Sequence, residues 1–482
     1  MRWRYTFQLV GLVLCFVGLS MLFPLAFSLS YADGMASFFL ESISISSSLG
    51  ILLFLCFRSA KVATMTHREG MAVVTLGWVG AGLLGALPFY LSGSIPSLTD
   101  CIFETFSGFT TTGASILNDI EALPPSMLMW RSLTHWLGGM GIILLSLAIL
   151  PFLGVGGMQL YKAEVPGPVP DKLRPRIKDT AVLLWKVYLL FSGLEAALLM
   201  LGGMSLFDAL CHTFGTMATG GFSTKNGSIG HFSSVYIDIV ITVFMFIAGA
   251  NFALHFRLLQ GRPGAFWKDT EFRFYALVIV AVTGLITFNV WGESYASLAQ
   301  SLRYSVFQTV SIVTTTGYGT ADYELWGPLA QMLLFMCMFL GGSAGSTGGG
   351  IKCMRVIILA KQAGRELMRL VHPRAIVPVK LGGVTVQDEV IKGIWGFLLL
   401  YLGLACLSAL ILAALNVDVL TSFAAVIACI SNIGPGLGQV GPTDNYAQIP
   451  MLAKWVLTFC MLLGRLEIYT VIILFFREFW RK

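Results

Sequence analysis

Four short segments of this chain carry residues suited to stacking backbone carbonyls rather than to acid, base or nucleophile chemistry. They read Thr110-Thr111-Thr112-Gly113-Ala114, Ala218-Thr219-Gly220-Gly221-Phe222, Thr314-Thr315-Thr316-Gly317-Tyr318-Gly319 and Ser431-Asn432-Ile433-Gly434-Pro435, with the reference glycines spaced by 108, 96 and 117 positions. A dehydrated cation needs several oxygens, and carbonyls turned toward one axis supply them without titratable charge. Glycine reaches the required backbone angles at little cost, so one Gly at a common offset is a physical demand of such a site. Glycines also pack membrane helices together. Unrelated packing positions would not share an offset, however: Gly113 follows Asp100 of Ser97-Leu98-Thr99-Asp100 by thirteen residues, and Gly221 follows Asp208 of Ser205-Leu206-Phe207-Asp208 by thirteen.

The elements that must position these segments are membrane helices. With 56% hydrophobic and 12% charged residues, a chain of 482 residues has too little polar surface to cover a water-soluble globule. Apolar stretches occupy 5–29, 36–57, 71–92, 128–153, 181–203, 233–256, 274–291, 328–340, 391–415 and 449–476. Most have the length of about twenty residues that crosses hydrocarbon as a helix. The first lacks the small-residue cleavage site of a secretory signal and reads as a retained helix. Ahead of each Thr/Gly segment runs a moderately apolar stretch of roughly thirteen residues, too short to span, so it enters and leaves by the same face. Irregular backbone at membrane depth is tolerated only when buried in protein or lining a wet cavity.

The expectation is therefore an all-α polytopic membrane protein. Four tandem helix–pore-loop–helix repeats stand in pseudo-fourfold arrangement, at 70–160, 161–262, 263–372 and 373–482, after a two-helix extension at 1–69, for ten spans in all.

Charge orients the helices, because Lys and Arg in short loops stay cytoplasmic. Of the 31 Lys and Arg, 25 fall in alternate connections, including Arg58, Lys61 and Arg68, then Lys162, Lys172, Arg174, Arg176 and Lys178, and finally Lys352 to Lys392. Both termini then lie on the cytoplasmic side. The opposite face keeps Arg131, Lys225, Arg303 and Lys454 among acidic residues such as Asp100, Glu104, Asp238 and Glu324. An outer vestibule of that sign concentrates cations, unless the charges are merely solvated.

Two features stand apart from the repeats. Gly341, Gly342, Gly345, Gly348, Gly349 and Gly350 lie within ten residues, and at close to 1 kcal/mol each relative to Ala they cannot sustain a regular helix. The helix must break there, beneath the third Thr/Gly segment, where a flexible loop can plug a pore. A phosphate-binding loop is the competing reading, but Ile351 intervenes before Lys352 and Cys353 stands where Ser or Thr is needed. Arg465 sits in the last apolar run, where a cation costs roughly 2.5–3.5 kcal/mol and should face protein or water. It either lines an ion path or pairs with Glu195 or Glu467. Lys352 either joins the gate or snorkels to the interface. For an enzyme, nothing is assembled: no His pair has ligand spacing, and the nine cysteines stand singly with no Cys-x-x-Cys.

The third segment resembles the Thr-Val-Gly-Tyr-Gly signature of potassium channels, and the whole chain resembles the Trk/Ktr/HKT superfamily of K⁺ transporters, within it the bacterial TrkH/TrkG type. The basic loop Lys172-Leu173-Arg174-Pro175-Arg176 and the loop from His372-Pro373-Arg374 to Lys380 belong to that likeness. By the resemblance, carbonyls that coordinate K⁺ come from Thr111, Thr112 and Gly113; Thr219, Gly220 and Gly221; Thr315, Thr316 and Gly317; and Asn432, Ile433 and Gly434. The same likeness implies an intramembrane gating loop at the glycine run, with Arg465 in the ion path below the filter. It also implies residence in a bacterial inner membrane, a homodimer, and cytosolic nucleotide-binding regulatory subunits of the TrkA type, with no organic cofactor and no nucleic acid. Asn432-Ile433 departs most from a symmetric filter, so K⁺ preference over Na⁺ is expected to be real but imperfect. The alternative is an H⁺- or Na⁺-coupled symporter, for which Glu195 and Glu467 are the available mid-membrane carboxylates.

Overall fold

The computed structural model describes residues 2–58, 66–141 and 177–481. The far half of the 128–153 stretch and the basic residues Lys61, Lys162, Lys172, Arg174 and Arg176 lie outside the described residues.

Helices account for nearly all the regular structure. The N-terminal extension comprises α1 (Trp3–Ser20), continued after Met21 by α2 (Leu22–Tyr31), and α3 (Ala36–Cys56). α1 and α3 approach so closely that a side-chain carbon on Gly11 or on Gly50 would lie 2.6 Å from the other's carbonyl oxygen, the small-residue packing that lipid-embedded helices use in place of a hydrophobic drive.

Each repeat that follows has a first helix, a half-helix and a second helix. In the first, α4 (His67–Gly85) starts at a capping box between Thr66 and Glu69 and is prolonged by α5 (Leu87–Leu91). It is followed by the half-helix α6 (Leu98–Phe109) and by α7 (Pro125–Trp136), which runs into a π-helical turn, Leu137–Gly141. The second has α8 (Ile177–Leu201), half-helix α9 (Leu206–Met217), α10 (Val235–Ala248) and α11 (Phe252–Leu259). The third has α12 (Thr270–Val290), half-helix α13 (Leu298–Val313), α14 (Pro328–Cys337) and α15 (Cys353–Val371). The fourth has α16 (Asp388–Ala414), half-helix α17 (Val419–Ile430), α18 (Met451–Arg465) and α19 (Ile468–Ile472).

Among the described residues six helices are long and apolar enough to cross a membrane, and two bent pairs bring the total to eight. The other two expected spans are the second helices of repeats one and three. α7 leads into residues outside those described, and α14 stops at the glycine run. The expected break in repeat three is present, and the structure adds two that the sequence did not announce. α10 and α11 meet at 103°, and α18 turns by 114° into the segment from Ile468 to Phe475, so the apolar runs 233–256 and 449–476 are not continuous helices. At the first break Asn251 caps α11 by accepting from the Ala253 N–H at 2.8 Å. At the second, Glu467 takes φ +63° and its carboxylate engages Arg355 at 2.6 Å, which offsets the cost of a left-handed non-glycine residue.

Two short sheets complete the regular structure. β1 (Leu340–Gly341) pairs in parallel with β2 (Ile351–Lys352), Leu340 opposite Ile351, and zips the neck of the glycine run. An antiparallel hairpin joins Lys380–Leu381 to Val384–Thr385.

Both ends of the chain meet on one face. Trp3 stacks on Trp480 with ring centroids 4.6 Å apart, Arg68 donates to the Arg481 carbonyl at 3.0 Å, and Arg2 pairs with Glu69 at 2.7 Å. The core lies where the half-helices converge, around the fully buried Phe103, Phe109, Trp130, Tyr318 and Tyr401. Outward, α12 and α16 leave Val280, Phe288, Leu399 and Leu410 exposed, surface that lipid covers and water would not tolerate.

Candidate functional site

The four Thr/Gly segments begin as helix ends. In every repeat the half-helix closes with the same pair of bonds: Thr111 N–H to Gly108 O with Thr112 N–H to Ser107 O, Thr219 to Thr216 with Gly220 to Gly215, Thr315 to Ile312 with Thr316 to Ser311, and Asn432 to Cys429 with Ile433 to Ala428. This is the Schellman termination, whose turning residue adopts a left-handed conformation and is usually glycine. Here that residue is Thr111 (φ +52°), Thr219 (+55°), Thr315 (+61°) or Asn432 (+56°). Asn tolerates this region, whereas a β-branched Thr there is strained, and strain of this kind persists only where the surroundings over-determine it. Two residues on, Gly113 (+81°), Gly221 (+82°), Gly317 (+81°) and Gly434 (+94°) are left-handed as well. The sequence pointed to the second position of each segment and not to the first.

The four segments meet in a closed ring. A side-chain carbon on Gly113 would strike the Gly220 carbonyl oxygen, one on Gly221 that of Thr316, one on Gly317 that of Ile433, and one on Gly434 that of Thr112. Each glycine thus packs against the residue preceding the glycine of the next repeat, and the fourth returns to the first. The residues of the ring are buried, except Gly113, Gly221 and Gly317, which are half-buried. Apart from Gly434, whose oxygen accepts from the Tyr446 hydroxyl at 2.6 Å, the carbonyls of the predicted coordinating residues accept no hydrogen bond from any described residue. Buried acceptors are rarely left without partners. Four half-helices also end at this ring, and the negative ends of their dipoles favour a cation there.

Braces between repeats hold the ring. Arg131 on α7 pairs with Glu104 on α6 at 2.6 Å, donates to the Ser223 carbonyl of repeat two at 2.9 Å and lies 3.6 Å from the centre of the Phe222 ring. Glu104 in turn accepts from the Ser115 hydroxyl and the Ile116 N–H. His135 stands between Gly108 O, 2.8 Å from Nδ1, and the Phe222 N–H, which donates to Nε2 at 3.2 Å, so Nδ1 carries the proton. Tyr318 donates to His212 O and Phe222 O. Further out, Asp238 meets Arg303 at 2.7 Å across repeats two and three, Glu324 accepts from Gly438 N–H at 2.6 Å across three and four, and Lys454 meets Asp100 at 2.6 Å across four and one. Arg131, Arg303 and Lys454 are therefore seam residues, and the acidic groups they engage are not free vestibule charges as the sequence suggested.

The glycine run lies against the inner end of the ring. Gly349 N–H donates to Thr315 Oγ1 at 2.7 Å, and Thr347 Oγ1 lies 3.0 Å from Met217 O and 3.2 Å from Ala248 O. Ser343 N–H reaches Gly249 O at 2.8 Å. Arg465, at the end of α18, donates to Thr347 O at 2.7 Å, to Gly138 O at 2.6 Å and to Gly139 O at 2.7 Å. It thus spans from the loop to the π turn of repeat one, while Glu467, its candidate ion-pair partner, is engaged by Arg355. The buried Lys352 ammonium turns inward to the Gly348 carbonyl and does not reach for the interface.

Comparison with known proteins agrees with this architecture. The family profile TrkH, described as a cation transport protein, matches residues 36–482. The chain belongs to the TrkH family. Among TrkH proteins, it is 43% identical over 485 residues to the Trk system potassium uptake protein TrkH of Halomonas elongata and 42% identical over 487 residues to that of Escherichia coli, covering all of each. It superposes on the crystal structure of the potassium transporter TrkH from Vibrio parahaemolyticus with a TM-score of 0.90 at 39% identity, covering both chains completely. A TrkH protein is a multi-span membrane transport protein and not an enzyme. Within this one, sequence reading missed Arg131, Glu104 and His135 as braces. A cation and an imidazole four residues apart inside the apolar stretch 128–153 were the available signal.

Proposed function

We propose that this TrkH-family chain conducts K⁺ through the ring formed by Thr111, Thr112, Gly113, Thr219, Gly220, Gly221, Thr315, Thr316, Gly317, Asn432, Ile433 and Gly434, and that the run from Gly341 to Gly350, held by Lys352 and Arg465, is its gate. The observation that carries this reading is the closed ring of glycines whose segments turn carbonyls that, Gly434 apart, have no hydrogen-bond partner among the described residues, oxygens that can replace the hydration shell of a cation. K⁺ is the ion named in the relatives' descriptions. In this reading the repeats run from 70–160, 161–262, 263–372 and 373–482. The chain resides in a bacterial inner membrane with both termini cytoplasmic, which the basic connections support. A homodimer working with TrkA-type subunits on the basic inner face completes the assembly.

A second reading, coupling of K⁺ to protons, has one observation in its favour. Glu195 on α8 is fully buried, and neither carboxyl oxygen has a hydrogen-bond partner among the described residues. Tracer uptake into liposomes holding the purified protein separates the two. Uptake that follows the K⁺ gradient at clamped voltage and ignores a pH gradient supports conduction; uptake driven by the pH gradient, and abolished in Glu195→Gln, supports coupling. Absence of K⁺ preference over Na⁺ in either case overturns the filter.

A further inference from the structure

Glu271 lies in the first turn of α12, outside the glycine run and outside the ring. Its Oε1 accepts from the Ala344 N–H at 2.8 Å and from the Met354 N–H at 2.9 Å. Ala344 belongs to the loop and Met354 to the first turn of α15, so a single oxygen ties the loop to the helix that follows it. The start of α15 needs such an acceptor. The first N–H groups of a helix have no partner within it, and Lys352, at the capping position, carries only donors and makes no side-chain cap. Glu271 therefore caps α15 from another helix while it holds Ala344.

A cap alone would explain only the Met354 bond. The bond to Ala344 belongs to the loop, and the side chain that makes both is nearly withdrawn from solvent, 8% exposed. A carboxyl oxygen at that depth is maintained by donors aimed at it and by the positive end of a helix. α15 continues from this point to the exposed inner surface around Leu367 and Leu370.

Resting on the reading of the loop as the gate, we propose that Glu271 is its latch: one carboxyl oxygen that fastens the loop shut and makes the loop and α15 move together. Opening then requires α15 to leave Glu271. A partner that displaces α15 at the inner face pulls the loop out through this contact, which makes Glu271 the positioning residue between regulation and pore.

The test uses the full chain in liposomes, with Glu271→Ala removing the acceptor and Glu271→Gln keeping one carbonyl acceptor in its place. Tracer K⁺ flux without any partner is expected to rise about threefold in the Gln protein, where an acceptor oxygen remains, and about tenfold in the Ala protein, where two buried N–H groups lose theirs. The K⁺/Na⁺ reversal potential is expected to stay unchanged, since the filter is untouched; structural damage would instead lower flux or shift selectivity. Hydrogen exchange over residues 343–354 is expected to quicken in the same order. Unchanged exchange in the Ala protein, or in the Gln protein should the Ala protein not reach the membrane, overturns the latch. Faster exchange with wild-type flux keeps the latch and overturns the loop as the gate.

Discussion

Asn432 donates from Nδ2 to Thr112 Oγ1 at 2.9 Å and to Met461 O at 2.9 Å, joining the fourth repeat to the first across 320 residues of sequence. The one segment that lacks a Thr at the turning position thus contributes the bond that closes the ring on itself. Asn also takes the left-handed turn more readily than Thr.

Asn432→Ala removes that closure and leaves a residue poorly suited to φ +56°. Lower K⁺ preference in bi-ionic reversal potentials is expected, with a loss of stability of roughly 1–2 kcal/mol for the hydrogen bond and the strained turn. Thermal unfolding in detergent checks the second part.

Gly317→Ser drives a side chain into the Ile433 carbonyl at a backbone angle that only glycine takes cheaply. The K⁺/Na⁺ permeability ratio should fall toward unity. Gly113, Gly221 and Gly434, which meet the neighbouring repeat in the same way, should respond alike. An unaltered ratio in all four would mean that the ring does not select.

Arg465→Ala releases the carbonyls of Thr347, Gly138 and Gly139 together. If the loop is the gate as proposed, cation flux into vesicles is expected to rise, because the loop loses the side chain that ties it to the π turn of repeat one. Shortening the run between Gly341 and Gly350 should leave the pore leaky by a separate route, and the same tracer assay reads both.

The Glu104–Arg131 pair is almost wholly buried, with side-chain exposures of 0% and 2%. Arg131→Met alone strands a carboxylate, a loss of roughly 3–5 kcal/mol. The double variant with Glu104→Leu should recover most of the thermal stability. Selectivity should not recover, because the Ser223 and Ile116 braces are gone.

Asp418 caps α17 by accepting from the Thr421 N–H at 2.9 Å. Hydrogen bonds, first from the Thr421 side chain and then from its backbone, hold the carboxyl below its usual range. A lowered folded-state value means that the stabilisation is complete above the unfolded Asp value of about 3.9 and drains away as pH falls through the folded one. Melting curves between neutral and acid pH should therefore show a smaller acid-induced loss in Asp418→Asn, which keeps a capping oxygen without the titration.

Much of the site was legible because it is written as repetition. The offset from Asp100 to Gly113 recurs from Asp208 to Gly221, and Gly317 and Gly434 stand in segments of the same kind; at each of the four, glycine suits both the backbone angle and the carbonyl of the neighbouring repeat. The break at Gly341–Gly350 was legible for the opposite reason, an excess of glycine no helix can absorb. The breaks after Ala248 and Arg465 carry no such signal. At the first, Asn251 caps the next helix through Ala253, two residues on, a local cap set inside an otherwise apolar run; at the second, Glu467 turns to Arg355, 112 residues away, and a partner that distant leaves no local mark. Arg131 counted as an outer-face cation for the same reason: its burial depends on Glu104 and Phe222 standing beside it.

By itself, then, the order of residues determined that the chain lies in lipid, that its basic residues gather in alternate connections, and where four short segments leave the helical path, because hydrophobic length, charge and glycine act locally. Tertiary structure alone decided that those segments face one another in sequence order, that Thr occupies a left-handed turn in three of them, and that Glu271, Arg465 and Lys352 converge on one loop. Those outcomes depend on distances between residues hundreds of positions apart, and only packing around a common axis sets them.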